Sequence, residues 1–128
     1  MILLEGQVFT FERRFTLDDV ESFARISGDR GIHHVRPDRE GKIMLQGLLT
    51  ATLPTKIGGD LNYIAREMDF EFLRPVFVGD TVTARAVVEK VVESNKGLNV
   101  KMSVVCKNQD GRDVLVGWTD GLIRRENL

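Results

Sequence analysis

A single cysteine, Cys106, leaves this chain without any internal disulfide, so nothing in it argues for an oxidising compartment and a cytoplasmic setting is expected. It also lacks an excess of either charge: 18 Lys and Arg stand against 19 Asp and Glu, and the signs are interspersed. That excludes the basic face on which nucleic-acid binding depends. Long apolar runs are missing too. Met1-Ile2-Leu3-Leu4 is cut short by Glu5, leaving no signal-peptide core, and no stretch approaches the length of a membrane span. Histidine is scarce: there are two, His33 and His34, side by side.

What remains is the composition of an ordinary globular protein, 42% hydrophobic and 29% charged. At 128 residues the whole chain, 1–128, reads as one domain, large enough for a proper core and too small for two. Gln7 to Phe15 alternates in the manner of a strand. Thr16 is placed to cap a short helix running to about Ser27, with Asp18 and Asp19 in its first turn and Val20, Phe23, Ala24 and Ile26 inward. Gly28 to Met44 has the Gly, Pro and charge content of a solvated, mobile loop. Gly47 to about Ile57 is a helix apolar on nearly all sides, which implies enclosure; Pro54 predicts a kink or break near Thr50 to Pro54, and Gly58-Gly59-Asp60 a stop.

Everything beyond is strand. Tyr63 to Leu73, Thr81 to Val92, Leu98 to Lys107 and Val114 to Ile123 are separated by Arg74-Pro75 with Val76 to Asp80, by the hairpin turn Ser94-Asn95-Lys96-Gly97, and by a second turn, Asn108 to Gly111. A buried helix followed by an antiparallel meander defines an α+β class: one antiparallel sheet wrapped around one central helix. Cys106 and the Met and Phe residues of the strands are assigned to the core, Trp118 to the core or a dimer surface.

The chemistry gathers in Ser27-Gly28-Asp29-Arg30-Gly31-Ile32-His33-His34, which sets a carboxylate and an imidazole on one glycine-containing loop. Gly47, at the start of the enclosed helix, leaves its backbone N–H open to an approaching carbonyl. An acid–base pair beside such a donor suits addition of water to, or its removal from, an activated acyl group. Taken singly, each has a plainer reading: Asp29 as a turn residue, the histidines as loop surface, Gly47 as packing. A metal site is not expected, because adjacent histidines on an extended chain point to opposite sides and Cys106 lies in a distant strand.

The order of elements resembles the hot-dog fold and, within it, the MaoC-like dehydratases, which include (R)-specific enoyl-CoA hydratases. The resemblance runs from Phe15 to about Ile123. Phe15-Thr16-Leu17-Asp18-Asp19-Val20 fits the family's pattern before the short helix, and Phe72-Leu73-Arg74-Pro75-Val76-Phe77-Val78-Gly79-Asp80 its Phe-x-x-Pro-Val-x-Val-Gly-Asp segment. Aligned without a gap on the signature Ser-Gly-Asp-x-Asn-Pro-(Ile/Leu)-His, Asp29 and His34 take the catalytic positions. Three departures stand out: Gly31-Ile32 replaces Asn-Pro, His33 stands where Ile or Leu is usual, and Gln46 replaces the His of His-Gly-Met-Leu.

The resemblance implies an enzyme, a hydro-lyase interconverting trans-2-enoyl and (R)-3-hydroxyacyl thioesters of coenzyme A or acyl carrier protein, with no cofactor. It implies Asp29 and His34 as the catalytic pair, the Gly47 N–H as oxyanion donor, and Thr55 where the family has a Ser that helps position the pair. It also implies a homodimer or higher homo-oligomer. Two alternatives stay open: an acyl-CoA thioesterase, disfavoured by the lack of Asp or Glu between Gly47 and Gly59, and a non-catalytic acyl-thioester-binding subunit.

Overall fold

A computed structural model describes residues 2–128. Its strands β1 (Val8–Arg14), β2 (Tyr63–Phe72), β3 (Thr81–Ser94), β4 (Gly97–Lys107) and β5 (Asp113–Arg124) form one antiparallel sheet in the order β1-β3-β4-β5-β2. β3, β4 and β5 form the expected meander, but β2 crosses over to pair with β5 instead of lying beside β3, so β1 and β2 are the two edges. Helices α1 (Leu17–Ser27), α2 (Ile32–Val35), α3 (Gly47–Thr50) and α4 (Thr52–Asp60) complete the chain, with α4 packed against β1, β2 and β3. Phe15, Leu53, Leu115 and Ile123 are fully buried between helix and sheet. Each such side chain stabilises the fold by roughly 1.5–3 kcal/mol. Among the described residues no helix is long and apolar enough to cross a membrane.

The enclosed helix breaks within the expected Thr50 to Pro54 and departs from expectation in two ways. The break Pro54 predicts falls at Ala51, which joins α3 to α4; proline has no N–H to give the carbonyl one turn back. The rod does not end at Ile57, ahead of Gly58-Gly59-Asp60. It runs through both glycines to Asp60, which pairs with Lys56 one turn earlier, and ends at Leu61. Nor is it enclosed on every side, since Leu48 is 66% exposed.

The α1 cap is tighter than expected. The Thr16 hydroxyl accepts from the Asp19 N–H, while the Asp19 carboxylate accepts from the Thr16 N–H and meets Arg13 at 2.5 Å. Burial raises the Asp19 pKa, but the Arg13 guanidinium and the Thr16 donors outweigh it and hold the carboxyl below its ordinary value. Ile26, expected inward, is 86% exposed, because α1 turns only Val20 and Ala24 fully to the core. Two strand residues assigned to the core are also half exposed: Met68 and Phe72, on edge strand β2, are 54% and 49% exposed. Met102 and Cys106 are buried as expected, and burial pushes the Cys106 thiol up to about 12. Trp118 is half-buried beneath Lys101, whose ammonium sits 4.7 Å from the ring centre.

The segment read as a loop, Gly28 to Met44, contains α2 and is anchored to the rest of the fold. Leu45 N–H donates to Val76 O and Val78 N–H to Ile43 O, with Met44 bridged to Phe77 between them. These bonds deliver Gln46 and Gly47 to the start of α3 beside the histidines.

Candidate active site

Helix α1 ends at Gly28, whose φ of 75° is the left-handed conformation a helix C-terminus favours and glycine adopts without strain. The chain thereby turns into Asp29. The Asp29 N–H donates to the Ser27 hydroxyl, and Asp29 Oδ1 accepts from the Gly31 N–H at 3.2 Å. These two local bonds leave Oδ2 free, and it lies 3.5 Å from His34 Nε2. His34 is 6% exposed, whereas the Asp29 side chain is 48% exposed. A buried imidazole thus meets a carboxylate open to solvent.

The imidazole's orientation is set by Met44. His34 Nδ1 is 2.6 Å from the Met44 carbonyl oxygen, which can only accept, so Nδ1 carries the hydrogen. The neutral ring then presents a lone pair at Nε2 toward Asp29. Two acceptors 3.5 Å apart do not bond directly, and the gap suits a water or a substrate hydroxyl placed between them. The Met44 N–H also donates to His33 O, so the backbone of one residue holds the backbone of one histidine and the ring of the next.

The two histidines do not point apart. The chain there is a helical turn rather than extended, and their ring centres are 4.0 Å apart, edge to face. Both line a groove of about 390 Å³ with Gly47, Thr50, Phe72 and Arg74. A side chain at Gly31 would come within 3.0 Å of the His33 ring, so the glycine and the second histidine fit together. Gly47 opens α3 with its N–H meeting no protein acceptor among the described residues, and the Phe72 ring lies 3.2 Å from where a Cβ on Gly47 would stand.

Asp29, His34 and Gly47 are therefore gathered in one region. Thr55 is elsewhere. Its hydroxyl donates back to Ala51 O at 3.0 Å, and it lines a separate cavity of about 210 Å³ between α4 and the sheet, with Ile57, Tyr63, Met68, Phe70 and Met102. There the Tyr63 hydroxyl donates to Val100 O and contacts the Thr119 hydroxyl. Burial raises the Tyr63 pKa and Asp120 adds to it, against the Thr119 bond. Sequence reasoning missed Met44, which acts through its backbone and has no side-chain signal. It noted Gln46 as a departure from the family's histidine but gave it no role.

This sheet wrapped on a helix is the hot-dog fold. A family model described as the Thioesterase superfamily matches residues 47–109. No curated protein matches by sequence. Among solved structures, the R-hydratase PhaJ1 from Pseudomonas aeruginosa is similar with a TM-score of 0.85 and 23% identity, over 95% of this chain and 83% of that one. The (R)-hydratase from A. caviae involved in PHA biosynthesis gives 0.84 and 26%, over 94% of this chain and 97% of that one. A MaoC-like dehydratase from Rhodospirillum rubrum gives 0.75 and 18%, over 96% and 94%. The hot-dog structures similar to this chain thus include (R)-hydratases and a MaoC-like dehydratase, while the matching family model is that of the Thioesterase superfamily.

Proposed function

We propose that the protein is a hydratase/dehydratase that interconverts trans-2-enoyl and (R)-3-hydroxyacyl thioesters carried on coenzyme A or acyl carrier protein. One observation carries the reading: His34 Nε2, its lone pair freed by the Nδ1–H bond to Met44, faces Asp29 Oδ2 across 3.5 Å, and His34 shares a groove with Gly47. In hydration a water sits between the two. Nε2 takes one of its protons as its oxygen bonds C3, and the C2–C3 π electrons move toward the thioester oxygen. The Gly47 N–H holds the charge that builds there. The proton passes by way of Asp29 to C2, which returns His34 to its starting form and leaves the elements of water across the double bond. Dehydration is the same path reversed. None of these steps calls for a cofactor.

The acyl chain needs an apolar channel, and the roughly 210 Å³ cavity lined by Thr55, Ile57, Met68 and Phe70 offers one of matching chemistry. In this reading Thr55 belongs to the acyl channel rather than to the reacting pair. The half-exposed Met68 and Phe72 on edge strand β2 support a homodimer in which two such edges meet and cover each other. A cytoplasmic setting completes the reading.

A second reading, thioester hydrolysis, is favoured by the family model over residues 47–109. Against it, the only acid on α3 and α4 is Asp60, exposed at the far end and paired with Lys56. Crotonyl-CoA separates the two. Loss of enoyl absorbance without free thiol supports the hydratase; thiol release overturns it in favour of hydrolysis, and no reaction with either readout favours a binding subunit.

A further inference from the structure

Gln46 lies immediately before Gly47 and is 1% exposed. Its side-chain nitrogen Nε2 donates to two carbonyls from different parts of the chain, Val20 O in α1 at 3.1 Å and Asp29 O at 3.4 Å. Both partners can only accept, so the amide's orientation is fixed by them. Its other end, Oε1, is buried with no hydrogen-bond partner. Burying an unpaired acceptor is unfavourable, so filling space does not account for an amide here; its donor end does. The backbone is committed as well, with Gln46 O accepting from the Leu49 and Thr50 N–H groups that open α3.

One residue thus ties together α1, the backbone of Asp29 and the start of the helix that carries Gly47. We propose that Gln46 is the positioning residue of the site, its amide setting the Asp29–His34 pair against the Gly47 N–H; the catalytic half of this rests on the hydratase reading above. A carboxamide NH2 has two hydrogens and can serve both carbonyls at once. A neutral imidazole at this place has one N–H and can serve only one, so the amide holds both ties at any pH at which the protein is folded.

The test has a structural arm and a kinetic arm. In the wild-type protein, NMR in D2O should show the Gln46 side-chain NH2 persisting after that of the exposed Gln109 has exchanged. In Gln46→Met, which keeps length and removes both donors, amide exchange across residues 28–34 should speed up at least tenfold while the β3–β5 strands keep wild-type rates. With crotonyl-CoA the same variant should lose at least tenfold in kcat with KM within about threefold. Gln46→Glu should behave alike at neutral pH and recover part of its kcat as the pH falls and the new carboxyl gains a proton to donate. A Gln46 side-chain amide that exchanges as fast as that of Gln109, or 28–34 rates unchanged in both variants, overturns the proposal whether or not either variant folds well. Wild-type protein inert toward crotonyl-CoA overturns the hydratase reading instead, and the exchange data still decide the role of Gln46.

Discussion

Replacing Asp29 by Asn is the sharpest test of the pair, because the structure separates its chemical effect from any structural one. The Asp29 side chain is 48% exposed, and its one intramolecular bond besides the approach to His34 is Oδ1 with the Gly31 N–H, which an asparagine oxygen accepts equally well. Stability should therefore stay within about 0.5 kcal/mol of wild type. Turnover of crotonyl-CoA should nonetheless fall about a hundredfold or more, equivalent to roughly 2.7 kcal/mol of transition-state stabilisation. His34→Ala should cost comparable turnover. It should also cost about 1 kcal/mol of stability, because it strands the Met44 carbonyl in a part-buried place. If the two act as one unit, the double variant should be little slower than either single. His33→Ala, which removes the ring packed on His34 but no bond to Asp29 or to Met44 O, should lower turnover by less than roughly tenfold. Steady-state rates paired with thermal melts distinguish these cases. Asp29→Asn with undiminished turnover would refute the assignment, and a crippled His33→Ala beside a healthy His34→Ala would move the active imidazole by one residue.

Three further outcomes are expected. Because Asp19 titrates below the ordinary carboxylate value in the folded chain, its contribution to stability is present above the unfolded value of 3.8 and lost as pH falls through the folded one. Melts from pH 7 downward should accordingly show Asp19→Asn losing stability at neutral pH, by about 1 kcal/mol for a weakened cap, and converging on wild type in acid; parallel curves would contradict this. Cys106, fully buried with its thiol pushed up to about 12, should resist a thiol-specific reagent in native protein and react as the chain unfolds. Light scattering at micromolar concentration should give a dimer mass, and a lysine at Met68 or Phe72 should shift it toward monomer; a wild-type monomer would remove the interface argument built on these two residues.

The sheet was legible in the chain because its signals are local. Alternation along Thr81 to Ile123 and the turns at Asn95-Lys96 and Asn108 to Gly111 leave an antiparallel meander as the natural arrangement, and Thr16 with Asp19 marks the α1 start by spacing alone. The site's membership was partly legible too, since Asp29 and His34 share one loop and a glycine opens the next helix. What no local rule could give was the facing of groups far apart in sequence. Ile26, Leu48, Met68 and Phe72 are apolar, yet stay exposed because of where their elements pack. The histidines share a groove because the loop winds into a helical turn, where the sequence suggested an extended chain. The tautomer of His34 depends on the Met44 carbonyl, and the placement of Asp29 on the Gln46 amide, a bond spanning 17 residues. Such bonds draw on backbone groups that every residue possesses, so only the folded chain decides which of them meet.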